Sequence, residues 1–153
     1  MEDKLNNHVP IFSRTVQKSE KWISEMHSQL SWVHSDRVYH LLRGVLHVLR
    51  DQLSVNEAAH LAAQLPLILK GTFFENWDPN AKSKSFSKEE FLDEVLKRMG
   101  PNWEPNYDLE HGVAVALQVI MRNISRGEMT DVIGSFKPSL RLFFEQIESG
   151  VLK

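Results

Sequence analysis

Residues 39–74 read YHLLRGVLHVLRDQLSVNEAAHLAAQLPLILKGTFF, and residues 110–145 read EHGVAVALQVIMRNISRGEMTDVIGSFKPSLRLFFE. Shifted by 71 residues, the two stretches align without a gap. Seven of the 36 pairs are identical: His40/His111, Leu46/Leu117, Val48/Val119, Ser54/Ser125, Glu57/Glu128, Leu69/Leu140 and Phe73/Phe144. Other pairs exchange one apolar residue for another, as in Leu42/Val113, Leu49/Ile120, Leu53/Ile124, Leu61/Val132 and Leu65/Phe136. The repeat therefore preserves a core pattern and helix-start chemistry. It predicts how the chain folds and names no activity.

The start chemistry sits in Ser54-Val55-Asn56-Glu57 and again in Ser125-Arg126-Gly127-Glu128. In this spacing the serine oxygen accepts a backbone N–H of the first turn, and the glutamate reaches back to the serine N–H. Ile124 and Met129 are placed as a hydrophobic staple across the second box. Ser87-Lys88-Glu89-Glu90 is a third box, with Phe86 and Phe91 as its staple. Pro66 and Pro138 interrupt the helical pattern at nearly matching places, and each is expected to begin a new short helix.

Working outward, Val16, Ile23, Met26 and Leu30 form a helical stripe that predicts a first helix from about Ser13 to Leu30. A second helix begins near Ser35 or Asp36. Val38, Leu41, Leu42, Val45, Leu46, Val48, Leu49 and Leu53 fill one broad face of it, and His40, Arg43, His47, Arg50 and Asp51 lie opposite. The second copy has Ala114, Gln118 and Met121 where the first has Arg43, His47 and Arg50. Its run from Gly112 to Met121 is apolar nearly all round, the signature of a helix buried on every side. The expectation is an all-α fold of about eight helices in one domain over 1–153. Two pseudo-repeated four-helix halves, 13–76 and 87–149, would pack around that buried central helix. Residues 77–86 form a polar linker with Asp78-Pro79-Asn80, and residues 100–107 a second loop with two prolines.

With 153 residues the chain is long enough for a real core, and its 42% apolar and 25% charged residues are ordinary for a globular protein. A net charge of −2 gives no electrostatic footprint for nucleic acid or an anionic membrane. The absence of cysteine removes disulfides, thiolate metal sites and cysteine nucleophiles. The opening Met-Glu-Asp-Lys lacks an export-signal pattern, and no run approaches a membrane span, so a cytoplasmic location is expected.

Three sets of residues are candidates for a site. Glu57 and His60, three apart on one helix face, have the spacing used by carboxylate-bridged di-metal bundles. The repeat supplies Asp131 where a second histidine is needed, and the capping box already accounts for Glu57, so no cofactor is expected. His40, Arg43, His47 and Arg50 could form an anion patch, with arginine forks as paired donors, or simply the solvated side of an amphipathic helix. His40 and His47 are about 10.5 Å apart along the helix, too far to share a metal. Trp77 and Trp103 each precede an acid and a proline on a loop. They would form a ligand or partner surface, or plug the end of the bundle. Lys82, Lys84, Lys97 and Arg98 are too sparse for a nucleic-acid platform. There is no glycine-rich phosphate loop, Gly-x-Ser-x-Gly or His-Glu-x-x-His.

Leu42-Arg43-x-Val45-Leu46-His47-x-Leu49-Arg50-Asp51-x-Leu53, then Glu57-Ala58-Ala59-His60-Leu61-x-x-Gln64-Leu65-Pro66, then Gly71 and Trp77, resemble the family known as domain of unknown function 2267. The resemblance runs from about Pro10 to Ile147 and is most specific from Leu42 to Trp77. Residues 125–144 look like a looser second copy, departing at Phe136-Lys137-Pro138. It implies a bacterial source and a helical fold, and it supplies no activity, cofactor or catalytic residue. The expected function is thus a non-catalytic binding module for a protein or a small anionic ligand. The alternative is a metal- or small-ligand-dependent enzyme using Glu57, His60 and Asp131. A homodimer is a further expectation, since two-fold repeats often have outer faces that can pair again, and the spread of apolar residues, Phe143, Phe144 and Ile147 among them, permits it without requiring it.

Overall fold

Helix starts are set where serine oxygens meet free backbone N–H groups. Ser54 Oγ accepts the Glu57 N–H while Glu57 Oε1 accepts the Ser54 N–H at 2.8 Å, and Ser87 and Glu90 make the same exchange. Hydrogen bonding to the Glu90 carboxyl from the Ser87 backbone N–H and from its hydroxyl, with Lys137 nearby, holds it below its ordinary pKa. The third box is only half formed. Ser125 Oγ accepts the Glu128 N–H, but the Ser125 N–H is taken by Gln64 Oε1 at 2.7 Å, and Gln64 Nε2 donates to Ser125 Oγ at 3.1 Å. An amide from a distant turn has replaced the local carboxylate.

The structure, a computed structural model, describes residues 8–150. The Met-Glu-Asp-Lys start lies outside them. Eight α-helices follow one another: α1 Pro10–His27, α2 Ser35–Arg50, α3 Val55–Ala62, α4 Leu67–Phe74, α5 Lys88–Met99, α6 Leu109–Asn123, α7 Arg126–Gly134 and α8 Pro138–Glu148. A 3-10 turn, Gly100–Asn102, follows α5. No strand occurs among the described residues, so the fold is all-α as expected. Among those residues, too, no helix is long and apolar enough to cross a membrane. Pro138 occupies the first turn of α8, while Pro66 caps α4 from outside, both positions where a missing N–H costs nothing. Gly100 ends α5 at φ +52 and Asn76 follows α4 at φ +57, left-handed positions that suit glycine and asparagine.

α2 and α6 pack on each other. α2 also touches α1, α4 and α5, and α6 also touches α1, α5 and α8. Gly112 to Leu117, Val119 and Ile120 of α6 are buried, with His111, Gln118 and Met121 half-buried. All eight helices send side chains into one continuous core. Phe91, Phe136 and Phe144 meet there edge to face, at 5.4 and 6.2 Å between ring centres. Phe143, Phe144 and Ile147 are no more than 2% exposed and belong to the core.

α1 keeps Ile23, Met26 and Leu30 of its predicted stripe at the core but departs from its predicted bounds and, at Val16, from its predicted face. It begins at Pro10 and ends at His27, and its buried side is Thr15, Ser19, Trp22 and Met26, whereas Val16 is 43% exposed. The reason is a polar contact: Thr15 Oγ1 accepts the Ile68 N–H at 3.0 Å, one of the donors that the start of α4 leaves open.

Candidate functional site

The polar face of α2 is the side on which α4 lands. α4 is only eight residues long, too short to stand without tertiary support. Four side chains of α2 and one of α4 supply it. Tyr39 Oη lies 3.0 Å from Thr72 Oγ1, His47 Nε2 is 2.7 Å from the Thr72 carbonyl, and Arg43 Nε donates to Glu75 Oε1 at 2.9 Å. Arg50 Nη1 donates to the carbonyls of Phe73 at 2.9 Å and Glu75 at 2.7 Å. These are carbonyls that the end of a helix leaves unpaired, and a buried guanidinium answers two at once.

His47 and Arg50 are therefore not on a solvated face. They are 4% and 5% exposed, and the expectation of a solvated side for them is corrected: a helical wheel shows which side is polar, not which side another helix covers. A carbonyl only accepts, so the proton of neutral His47 sits on Nε2. Burial lowers its pKa from 6.5 to about 4. The bond to Thr72 opposes that shift, and Arg50, Arg43 and Arg98 add to it. The anion-patch reading also loses its donors. Arg43 is paired with Glu75, and Arg50 with Asp51 at 3.0 Å, whose other oxygen takes Arg98 of α5 at 2.7 Å. His40 is half-buried, its ring 5.4 Å from that of Tyr39.

Beyond Arg50 the chain closes a small cleft. The backbone N–H of Lys84 donates to the Asp51 carbonyl at 2.7 Å, Ser83 Oγ to the Leu53 carbonyl, and the Phe86 N–H to Gln52 Oε1. The polar linker is thus strapped to the end of α2. Between strap and helix is a cavity of about 190 Å³ walled by Arg50, Asp51, Asn76, Trp77, Lys82 and Lys84. Trp77 packs on Phe74 with ring centres 4.9 Å apart and stays half-exposed, one side to the cavity. Asp78 folds its own loop, accepting the Asn80 N–H at 2.9 Å. Neither Lys82 nor Lys84 makes an ion pair among the described residues.

The other candidates lie elsewhere. Trp103 belongs to an aromatic cluster with Trp32 and Tyr107. Trp32 and Tyr107 are stacked at 3.7 Å, and Trp103 stands edge-on to both. Arg37, near the start of α2, pairs with the adjoining Glu104. Trp103 and Trp77 therefore sit at opposite ends of α2, roughly 20 Å apart along its axis, and form no common surface. Glu57 is spent on its capping box, and His60 and Asp131 are exposed. No group of three His, Asp or Glu side chains that could hold a metal occurs among the described residues. The site residues that the sequence did not disclose are Tyr39, Thr72, Glu75 and Asn76, because contacts 25 to 33 residues apart leave no mark in helical periodicity.

The sequence model of the family described as uncharacterized conserved protein, DUF2267, matches residues 19–143. No curated protein matches the chain.

Proposed function

The chain belongs to the DUF2267 family, and we propose that it acts as a small, soluble, non-catalytic binding module of the bacterial cytoplasm, whose ligand site is the cleft beside Trp77. The observation that carries this is the pairing of a rigid aromatic wall with unpaired cations. Trp77 is held by Phe74, Arg50 fixes the floor through two carbonyls, and Lys82 and Lys84 stand at the rim. An aromatic face beside ammonium groups suits an anionic ligand with a flat or apolar body. A carboxylate or phosphate, free or on a protein partner, has that chemistry. The bacterial setting rests on the family resemblance, and the cytoplasmic one is part of the same reading.

The indole N–H signals of the four tryptophans make the test direct. Titration with inorganic phosphate and with a small aromatic carboxylate should move the Trp77 signal saturably and leave Trp22, Trp32 and Trp103 in place. Lys82→Gln with Lys84→Gln should abolish the movement. A Trp77 signal that stays put, or drifts without saturating, would sink the proposal.

The same reading takes the two halves as copies of one unit. Its support is that α3 and α7 begin at Val55 and Arg126, and α4 and α8 at Leu67 and Pro138, each pair 71 residues apart.

A further inference from the structure

Arg50 is 5% exposed, and its buried guanidinium is not fully used. Nε donates to Asp51, and Nη1 gives both its N–H groups to the carbonyls of Phe73 and Glu75. Among the described residues Nη2 donates to no acceptor, which leaves two of the five guanidinium N–H groups open. The buried side-chain polar atom without a partner is Ser19 Oγ, so Nη2 must reach open space. The open space that Arg50 borders is the cleft beside Trp77.

The acceptors on the cleft walls are already engaged. Asp51 is shared between Arg50 and Arg98, and Asp78 takes the Asn80 N–H. The groups left over are mostly donors. The Trp77 indole N–H and the Lys82 and Lys84 ammonium groups have no acceptor among the described residues, and the two lysines outnumber Asp78. A cleft whose spare groups donate selects a ligand group that only accepts.

We infer that the cleft binds a small phosphate monoester. This rests on the reading of the cleft as an anion site and narrows it from anion to phosphate. A carboxylate meets arginine best through two parallel N–H bonds from neighbouring nitrogens of the fork. In Arg50 both Nε and Nη1 are committed, so that planar pairing is closed. One nitrogen from the floor and two ammonium groups from the strap approach from different sides. A tetrahedral group with three terminal oxygens and nearly two negative charges answers all of them at once. The cavity of about 190 Å³ is smaller than the roughly 300–1,000 Å³ of pockets for drug-sized ligands. It admits the phosphate and a body of about one ring against Trp77, which favours a free small molecule over a phosphorylated protein segment.

The experiment follows the Trp77 indole N–H and the Arg50 guanidinium signals of the full chain, above the second phosphate pKa of about 6. Three probes are titrated separately: phenyl phosphate, its methyl diester with one charge and one terminal oxygen fewer, and phthalate, with two charges on planar carboxylates. Phenyl phosphate should move both signals with one midpoint and bind about tenfold or more tightly than either other probe. Phthalate binding as well would show that charge alone matters, and the diester binding as well would show that the third oxygen is idle. Either result overturns the phosphate assignment and leaves the anion reading standing. So does an Arg50 signal that stays still while Trp77 saturates, or a phosphoserine peptide that binds more tightly than phenyl phosphate. A Trp77 signal that saturates with none of the probes takes down both readings together.

Discussion

α2 and α6 carry comparable loads by opposite means. Each leads into a serine-capped short helix and then a helix started at a proline, α4 in one case and α8 in the other. α4 is tied to α2 by Tyr39, Arg43, His47 and Arg50. Among the described residues no side-chain hydrogen bond joins α6 to α8; instead Leu140, Phe143, Phe144 and Ile147 are driven into the core. The contrast shows what the polar lock is for. An eight-residue helix with Leu69, Thr72 and Phe73 buried has little apolar surface with which to fix its position. Directional bonds to its last carbonyls supply what burial does not. An eleven-residue helix with four large apolar anchors has no such need.

The most direct way to break this contrast is Arg50→Met, which gives α2 the residue that α6 carries 71 positions later. It leaves the Phe73 and Glu75 carbonyls unanswered and Asp51 short of one partner, and should cost about 3–5 kcal/mol in urea denaturation. A titration probes the same lock more gently. His47 is neutral in the folded chain down to about pH 4 but takes up a proton near 6.5 when unfolded. The unfolded state therefore binds more protons between those values, and stability falls as pH drops from 6.5 through 4. The loss should be on the order of 2–3 kcal/mol, and His47→Gln should flatten that part of the profile. Next in size is the clamp between α3 and α7. Gln64→Ala removes both of its bonds to Ser125 and should cost about 1 kcal/mol, with faster amide exchange at Ser125. The smallest effect belongs to Arg43→Ala. Its pair with Glu75 is partly exposed, and the expected cost is under about 1 kcal/mol, shrinking further in salt.

How much of this could be read from the sequence depends on the range of the interaction. The starts at Ser54 and Ser87 were legible because a capping box spans four residues. The start at Ser125 was legible only in part, since its second partner is Gln64, 61 residues away. The apolar stripe of α1 is legible at Ile23, Met26 and Leu30, which reach the core, and fails at Val16. Val16 belongs to the apolar stripe by type, yet Thr15 is inside because the start of α4 offers it an N–H, and Ser19, one turn on, is buried beside it with no hydrogen-bond partner for its Oγ. For the candidate site, Arg50 and Trp77 stand out in the sequence as part of a polar helix face and as a loop aromatic, and both line the cleft. His40, Trp103, Glu57, His60 and Asp131 do not join them. Lys82 and Lys84 look sparse in the sequence because no linear pattern shows that the segment carrying them folds back on α2.

That strap has a consequence for how the molecule opens. Polar, proline-bearing and outside any helix, residues 77–86 are where a protease or an engineer would choose to cut. Yet the Lys84 and Phe86 amides are committed to Asp51 and Gln52, and Ser83 to Leu53. Cleavage there must wait until the last turn of α2 gives way, so the two amides should trade deuterium on the timescale of that helix rather than of a surface loop. Exchange at this strap is thus a gauge of how firmly the end of α2 is shut.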